Sequence, residues 1–433
     1  MIKKFRLYSL LLLALFTTLA QAELEIKITK FVEGDIPLAI VPFKWSGTGS
    51  PPFKVDQIIN SDLRRTGKFK FFSDLPEQPS SASEMQMQLW KDRGMDNVVV
   101  GTVTNSATGG FEIRMQLINS STGKQLAQTT KIALPKNFRL RAHQVSNLIY
   151  KALTGEDGVF DTRVAYVRSV KSRRGKRSYA LIVADADGYN PKIIRSSVNP
   201  IMSPSWAPDG KRLAYVAFKD TGRTAIYVQN VITGRRYVVS ASKGINGAPA
   251  WSPDGTRLAL TLSKVGNPEI YVFNLRSRSL RRITVNGAID TEPAWSPDGR
   301  WIVFTSDRSG GPQIYKAPAT GGPARRLTFR GKYNARPAFS PDGKKLAMVH
   351  SDGGRYNIGV LDLTTSEFRP VTDGRLDESP NFAPNGSMLI YASEYNRRGV
   401  LSTVSTDGRV KYRLELQSGD IREPAWGPKR SQR

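Results

Sequence analysis

The second half of the chain repeats one pattern of apolar runs and turn residues. Each copy begins with a proline and an aromatic residue, and the first five continue through a Pro-Asp-Gly turn, or a close variant, into an apolar strand. The aromatic positions lie 43 to 45 residues apart and are Trp206, Trp251, Trp295, Phe339, Phe382 and Trp426. Self-similarity at this period is typical of a β-propeller, in which each copy forms one blade.

The residues inside one copy predict four strands. Proline presets φ, aspartate can cap the local backbone and glycine tolerates positive φ, so Pro-Asp-Gly favours a tight turn. In the second copy, apolar runs at residues 257–262, 269–275 and 280–284 follow the short strand that contains Trp251. We expect the six aromatic side chains to pack between blades rather than to bind a ligand.

The sixth copy stops after its first strand, at "PAWGPKR". Residues 162–171, "TRVAYVRSVK", match the second strand of a copy and lack only the leading turn, and two further strand-like runs follow them. Joining these segments would close the ring and leave no open sheet edges around it. The sequence therefore predicts an all-β, six-bladed propeller over residues 156–433, closed by strands from both ends of that half.

The preceding residues, 35–155, predict a small α/β domain. Strands are expected at residues 37–43, 68–72 and 97–104, and a hairpin is expected to join residues 111–118 to 125–134. Helical spacing appears at residues 52–66, 83–93 and 137–153, with Met85, Leu89 and Trp90 of the second helix facing inward. Residues 155–161 are the expected linker to the propeller.

The first 34 residues contain two further segments. In residues 1–22, basic residues precede an apolar run that ends in Ala20-Gln21-Ala22, which is typical of a cleavable export signal rather than a membrane anchor. Residues 23–34 are expected to form a mobile segment that binds a partner. Leu24, Ile26 and Ile28 alternate with polar residues there, so the segment could add as a strand to a partner's sheet. We expect an exported protein that does not span the membrane.

Charge adds one alternative function. The chain has a formal net charge of +27, and residues 156–433 carry 44 Lys and Arg against 25 Asp and Glu. A half with a net charge of +19 could bind a polyanion in the exported setting, such as phosphorylated lipid or cell-wall polymer, or simply present a solvated rim. Export and the lack of interleaved aromatic and basic residues argue against a nucleic acid partner.

The sequence offers little for catalysis. Propellers of this kind also occur in serine peptidases of the prolyl-oligopeptidase type, but no G-x-S-x-G motif is present, and His143 and His350 lack a nucleophile motif nearby. The absence of cysteine excludes disulfides and thiolate chemistry. "DADG" at residues 185–188 lacks the other ligands of a calcium loop. We expect a non-enzymatic binding protein without catalytic residues, metal or cofactor, and keep the serine peptidase as an alternative.

The chain resembles the TolB family of the Tol–Pal system over essentially its whole length. The resemblance includes "VPF-W" (residues 41–45), "VVVG-V" (98–103), "DGYN" (187–190), "GAPAWSPDG" (247–255), "TEP" (291–293), "LDESP" (376–380) and "VSTDGR" (404–409). It implies a non-enzymatic periplasmic protein whose propeller mouth binds the lipoprotein Pal and whose mature N-terminus binds TolA. The implied role is outer-membrane constriction at cell division and envelope integrity. Other outer-membrane or peptidoglycan-associated partners are open, and we expect a monomer.

The resemblance and the propeller symmetry together predict the binding residues. By resemblance, Pal contacts fall just before Pro249 and Pro293, on Ile245, Asn246, Ala248, Thr291 and Glu292. By symmetry, the residue before each repeat proline should lie in an exposed loop around the mouth, which adds Arg336, Ser379 and Glu423, and nearby acids should make this face acidic. The predicted TolA-binding residues are Glu23, Leu24, Ile26 and Ile28.

Overall fold

The N-terminal domain is a mixed sheet with helices on both faces. The structure, a computed structural model, describes residues 26–28, 35–219, 221–414 and 419–430. The elements up to the end of this domain are β1 (Ile26–Ile28), β2 (Ile36–Ile40), β3 (Lys44–Trp45), α1 (Val55–Arg64), β4 (Phe69–Phe71), α2 (Met87–Asp92), β5 (Asn97–Asn105), β6 (Phe111–Asn119), β7 (Lys124–Ala133) and α3 (Phe138–Thr154). The strand order is β4-β2-β5-β6-β7, with β3 also paired to β5; β2 is parallel to β4 and β5, and β5, β6 and β7 are antiparallel.

Alternation along β2 divides the apolar side chains of this domain between two cores. Leu38 and Ile40 face α1 and α3, whereas Ala39 packs with Trp90 on the other side of the sheet. The predicted inward position of Leu89 is wrong, because its side chain is 39% exposed. The expected helix over residues 83–93 is a shorter helix, α2. Consecutive residues of a helix point about 100° apart, so α2 cannot direct both Leu89 and its neighbour Trp90 at the sheet.

Six antiparallel four-stranded units form the propeller, as predicted. The strands are β8 (Arg163–Lys171), β9 (Arg177–Asp185), β10 (Lys192–Ser197), β11 (Ile201–Trp206), β12 (Arg212–Phe218), β13 (Thr224–Asn230), β14 (Arg236–Ser240), β15 (Asn246–Trp251), β16 (Arg257–Leu262), β17 (Glu269–Asn274), β18 (Leu280–Arg282), β19 (Asp290–Trp295), β20 (Trp301–Ser306), β21 (Gln313–Pro318), β22 (Arg325–Arg326), β23 (Tyr333–Phe339), β24 (Lys345–Ser351), β25 (Asn357–Asp362), β26 (Phe368–Pro370), β27 (Glu378–Phe382), β28 (Met388–Tyr395), β29 (Arg398–Ser405), β30 (Val410–Arg413) and β31 (Asp420–Trp426).

Chain order defines the blades. The first to fifth blades begin at β11, β15, β19, β23 and β27, and the sixth combines β31 with β8, β9 and β10. In the sixth blade, β31 pairs antiparallel with β8, from Asp420 opposite Ser169 to Trp426 opposite Val164. A single sheet therefore contains strands from both ends of the propeller half.

The repeat tryptophans join neighbouring blades. Indole Nε1 of Trp251 donates a hydrogen bond to the Ser205 carbonyl oxygen of the preceding blade at 3.1 Å, and Trp295 does the same to Ala250. Trp206 bonds in this way to Ala425, which crosses the ring closure. Their side chains are buried, and the guanidinium of Arg212 lies 4.7 Å from the ring centroid of Trp251. The aromatic positions thus pack between blades, as the sequence indicates.

The two ends of the propeller have different neighbours. We define the mouth face as the end of the propeller at which the first strand of each blade begins. The turn between the second and third strands of each blade lies at the same end. The Pro-Asp-Gly turns lie at the opposite end, the turn face. The N-terminal domain and its linker pack against the turn face at the fifth and sixth blades. Arg139 of α3 pairs with Asp187 of the sixth blade, and Asn385 Nδ2 of the fifth blade donates to the carbonyl oxygen of Asp157 in the linker at 2.9 Å.

Strand β1 extends the fifth blade. Ile26, Lys27 and Ile28 pair antiparallel with Tyr412, Lys411 and Val410 of β30, at the outer edge of the sheet. The predicted edge strand is therefore present and is paired here with the chain's own propeller. Residues 1–25 and 29–34, which include Glu23, Leu24 and the predicted export signal, lie outside the described residues.

A buried charge cluster crosses the domain interface. His143 of α3 lies between two carboxylates, with Nδ1 2.6 Å from Asp62 Oδ2 and Nε2 3.4 Å from Asp187 Oδ2. Arg65 pairs with Asp62 at 2.6 Å, and Arg139 pairs with Asp187. Asp187 belongs to the turn between β9 and β10, so the cluster ties the propeller to the N-terminal domain. Burial disfavours the imidazolium, but the two carboxylates overcome this effect and raise the pKa of His143 to about 9.

We predict that the interface weakens in mild alkali. The folded-state pKa of His143 lies above the unfolded value of about 6.5, so its stabilisation is complete below that pH and is lost as the pH rises through about 9. Thermal melts of the wild type should lose on the order of 2–3 kcal/mol relative to His143→Gln between about pH 6.5 and pH 10. Comparing the two profiles isolates His143, since all other groups are shared. Parallel profiles for the two proteins would contradict this assignment.

Candidate partner-binding face of the propeller

Six residues with left-handed backbone surround the channel. The residue before each repeat proline has a positive φ, with values of 50° at Ser203, 44° at Ala248, 55° at Glu292, 52° at Arg336, 56° at Ser379 and 57° at Glu423. Each lies at a register shift within its blade's first strand. The bulge leaves room for a proline, which cannot donate a ladder hydrogen bond.

This geometry corrects the prediction that these residues occupy exposed loops. Ala248 and Glu292 lie inside β15 and β19, and a non-glycine residue at positive φ costs about 1–2 kcal/mol. The surrounding ladder must impose that conformation. A larger side chain at Ala248 or a reversed charge at Glu292 would disturb the first strand of a blade, so such changes are poor probes of partner binding.

Arg336 clasps three other blades across the channel. Its Nε lies 2.9 Å from Glu292 Oε1, its two terminal nitrogens lie 3.0 and 3.1 Å from the Glu423 carboxylate, and it also donates to Ser379 Oγ. Its backbone N–H donates to Glu292 Oε2 at 3.0 Å. Burial disfavours the guanidinium charge, but Glu423 and Glu292 overcome it and raise the pKa of Arg336. The structure thus brings four predicted site residues together as an internal network.

Of the four other acids expected to make the mouth acidic, Asp290, Glu378 and Asp420 are paired with arginines, and Asp377 is only 1% exposed. Asp290 is fully buried, and both of its oxygens accept hydrogen bonds from Arg308, at 2.8 and 2.7 Å. Glu378 accepts from Arg422 at 2.8 Å. These pairs neutralise the carboxylates, so the predicted acidic field does not characterise this face.

Asn246 shapes its loop and does not project from it. Its side chain is 1% exposed, its Oδ1 accepts from Ser240 Oγ at 2.7 Å, and its Nδ2 donates to the Ser242 carbonyl at 2.8 Å. The equivalent residues of the next three blades are Asp290, Asn334 and Asp377, and all are buried. This repeated polar position holds the loop that enters each blade. Thr291 is partly buried, with its hydroxyl 3.4 Å from that of Thr261.

Ile245 belongs to an exposed apolar surface that sequence reasoning missed. It is 50% exposed, and other apolar side chains at the mouth end of the second, third and fourth blades are exposed as well. We call this set the apolar crescent; it comprises Ile245, Val265, Val285, Ile289, Phe329 and Tyr356. Apolar residues beside glycine or asparagine in turn-rich stretches, as in "KGINGAP" and "VNGAID", are the signal that could have revealed it. Such clusters mark interaction surfaces.

The described residues show no built site for a metal. No group of three or more His, Asp or Glu side chains within them has the arrangement of a metal centre. His350 Nδ1 lies 2.9 Å from Asn334 Oδ1, inside the fourth blade. Within the same residues, no helix is long and apolar enough to cross a bilayer.

Comparison with known proteins identifies the family. The family model described as the TolB beta propeller domain matches residues 150–430, and the TolB amino-terminal domain matches residues 24–126. The chain belongs to the TolB family. The Tol-Pal system protein TolB of Thioalkalivibrio sulfidiphilus is 55% identical over 423 residues, covering 97% of each chain, and that of Nitrosococcus oceani is 53% identical over 409 residues, covering 94% of each.

A solved structure agrees. The crystal structure of TolB from Acinetobacter baumannii aligns with a TM-score of 0.86 at 42% identity, covering 94% of this chain and all of that one. The resemblance drawn from the sequence motifs is confirmed, and so is the predicted order of an α/β domain followed by a six-bladed propeller.

We predict that the Arg336 clasp stabilises the ring. Arg336→Met leaves Glu292 and Glu423 in the channel without a cation, and should cost about 2 kcal/mol after allowing for partial solvent exposure. Adding Glu292→Gln and Glu423→Gln removes the stranded charges and should restore most of that loss. Denaturant unfolding measures both. Arg300→Met is the matched control, because its pair with Asp298 is on the surface and Arg300 is 78% exposed. A single variant as stable as the wild type would refute the clasp.

Proposed function

We propose that this chain is a non-enzymatic periplasmic component of the Tol–Pal system. In this role it binds the lipoprotein Pal through the propeller mouth and TolA through residues 23–34, and supports outer-membrane constriction at division. Family membership over the full length supports the system, and the relatives are named as Tol-Pal system proteins. The apolar crescent supports the choice of the mouth face and is the observation that carries the proposal.

The two faces of the propeller differ in the exposed surface that a partner could contact. The N-terminal domain and its linker cover part of the turn face at the fifth and sixth blades, as the ion pairs of Arg139 with Asp187 and of Lys429 with Asp157 illustrate. The mouth face at the second to fourth blades exposes apolar side chains on buried, hydrogen-bonded loop supports such as Asn246. A rigid apolar patch with a polar rim is the usual composition of a protein-docking surface.

A binding role also agrees with the interior of the channel. The guanidinium of Arg336 lies between the carboxylates of Glu292 and Glu423, so the charged groups nearest the axis satisfy one another. None of these three groups is left unpaired to act as a general acid or base. We therefore assign the channel a structural role, with recognition on its rim.

The N-terminal segment suits a partner that adds by strand pairing. β1 already pairs with β30, which supports the strand-forming tendency inferred from the alternation of Leu24, Ile26 and Ile28. It is the edge strand of its sheet, and main-chain hydrogen bonds of an edge strand can be shared with another protein. TolA would pair along this segment, on the β1 edge or after its release from β30.

The double variant Ile245→Ser with Ile289→Ser tests the Pal surface. Both side chains are about half exposed, so the change removes apolar contact area without opening a cavity. We expect Pal affinity, measured by calorimetry, to fall about tenfold or more. Ile232→Ser is the control, since Ile232 is 71% exposed at the turn face. The melting temperatures of the double variant and of the control should equal that of the wild type. Equal Pal affinity for the wild type, the double variant and the control would place docking elsewhere.

Deleting residues 23–34 tests the TolA segment. The deletion removes an added outer strand and leaves β27 to β30 paired, so TolA binding should disappear while Pal binding persists. Ile26→Pro with Ile28→Pro keeps the length but removes two backbone donors, and should reproduce the loss. Binding of TolA to either variant at wild-type affinity would show that another surface recognises it.

A further inference from the structure

Two adjacent blades have longer hairpins at the mouth face than the others. β8 and β9 have nine residues each and β28 and β29 have eight, against six or seven for the second and third strands elsewhere. Val164 lies opposite Trp426, as Leu258 lies opposite Trp251, so the turn-face ends are level. The additional two or so residues therefore project at the mouth end, by roughly 7 Å.

The tips of both hairpins are basic. The sixth-blade hairpin reads "KSRRGKR" over residues 171–177, and the fifth-blade hairpin turns at Asn396 and Arg397 and continues with Arg398. The basic side chains at the two tips are all on exposed residues and are Lys171, Arg173, Arg174, Lys176, Arg177, Arg397 and Arg398. Within the residues that the structure describes, no carboxylate forms an ion pair with any of these seven.

Exposed apolar side chains accompany these charges. Val170 is 41% exposed beside the first tip, and Tyr395 is 48% exposed beside the second. The guanidinium of Arg413 lies 3.8 Å from the Tyr395 ring centroid, so the ring makes a cation–π contact. A tyrosine and an aliphatic residue among basic side chains are suited to the headgroup region of a bilayer, where the rings and methyls enter and the charges stay at the phosphates.

A hydrogen bond from β29 to the sixth blade fixes the position of the fifth-blade hairpin. The Gly399 amide donates to Asp420 Oδ1 at 2.6 Å, which joins the fifth-blade hairpin to the first strand of the sixth blade. Arg422 bridges the same blades through Glu378. The two basic tips therefore belong to neighbouring blades that are joined by hydrogen bonds, on a different sector of the ring from the apolar crescent.

We propose that these paired hairpins dock on an anionic phospholipid surface. Seven cations at two neighbouring tips would be drawn to acidic headgroups, in a manner weakened by salt. Val170 and Tyr395 would enter the interface and retain part of the binding when salt screens the charges. The apolar pair favours a lipid surface over a soluble acidic polymer, which offers no apolar phase. Docking here leaves the apolar crescent on the second to fourth blades free for a protein partner.

Vesicle flotation tests the proposal with the chain beginning at Glu23, so that the N-terminal apolar run cannot insert. Vesicles of phosphatidylglycerol and phosphatidylcholine in equal parts are compared with phosphatidylcholine alone. We expect binding to the mixed vesicles only, and a loss of about tenfold or more when Arg173, Arg174, Arg397 and Arg398 are changed to Gln. The matched control changes Arg235, Arg276, Arg278 and Lys344 at the turn face to Gln; each set includes one residue at positive φ, Arg397 or Arg278.

The contribution of Val170 and Tyr395 to binding distinguishes a lipid surface from a soluble acidic polymer. Val170→Ser with Tyr395→Ser should keep most binding at low salt but lose the salt-resistant fraction. Equal losses in the two glutamine sets would show non-specific attraction to a basic protein and overturn the proposal. Salt-resistant binding that is unaffected by the serine pair, together with full displacement by soluble polyglutamate, would overturn it in favour of an acidic polymer. Circular dichroism melts confirm that each variant is folded.

Discussion

The pairing of β31 with β8 is the contact on which the remaining architecture depends. It joins residues more than 250 positions apart and places Trp426 and Lys429 against the segment that leaves the N-terminal domain. Only a closed ring can direct Glu292 and Glu423 at the same guanidinium, because these residues lie on the third and sixth blades. The Arg336 clasp and the adjacent basic hairpins are both consequences of closure.

The two faces of the propeller differ in what covers them. Part of the turn face packs against the N-terminal domain, through a buried cluster whose central imidazole is held charged by Asp62 and Asp187. The mouth face exposes apolar side chains on one sector and basic hairpins on another. Three of the polar residues predicted there, Asn246, Glu292 and Arg336, stabilise the face from within. Their chemistry holds the loops so that the apolar residues can be presented.

The repeat predicted the fold because its signals are local. Turn chemistry and period-2 alternation each reflect neighbours within a few residues, and their recurrence with the aromatic residue every 43 to 45 residues defines the blades and their number. The helix that contains Leu89 was placed less well, since only a few residues carry its pattern. The partners of individual side chains could not be predicted from the sequence. Arg336 and Glu423 are 87 positions apart, and nothing in the local sequence distinguishes a free carboxylate from one paired with an arginine. The positive φ values before the prolines likewise arise from the ladder around the channel.

Ring closure also sets the order of events during biogenesis. β31 follows every other described strand in the sequence, so it is synthesised after all of them. Until it arrives, β8 lacks its inner neighbour, and the sheet edges that the ring would cover stay open to other chains. Contacts of such large sequence separation form slowly, which favours a long-lived unfolded state. A propeller closed in this way stays incomplete, with β8 unpaired on its inner side, until its last strand is available.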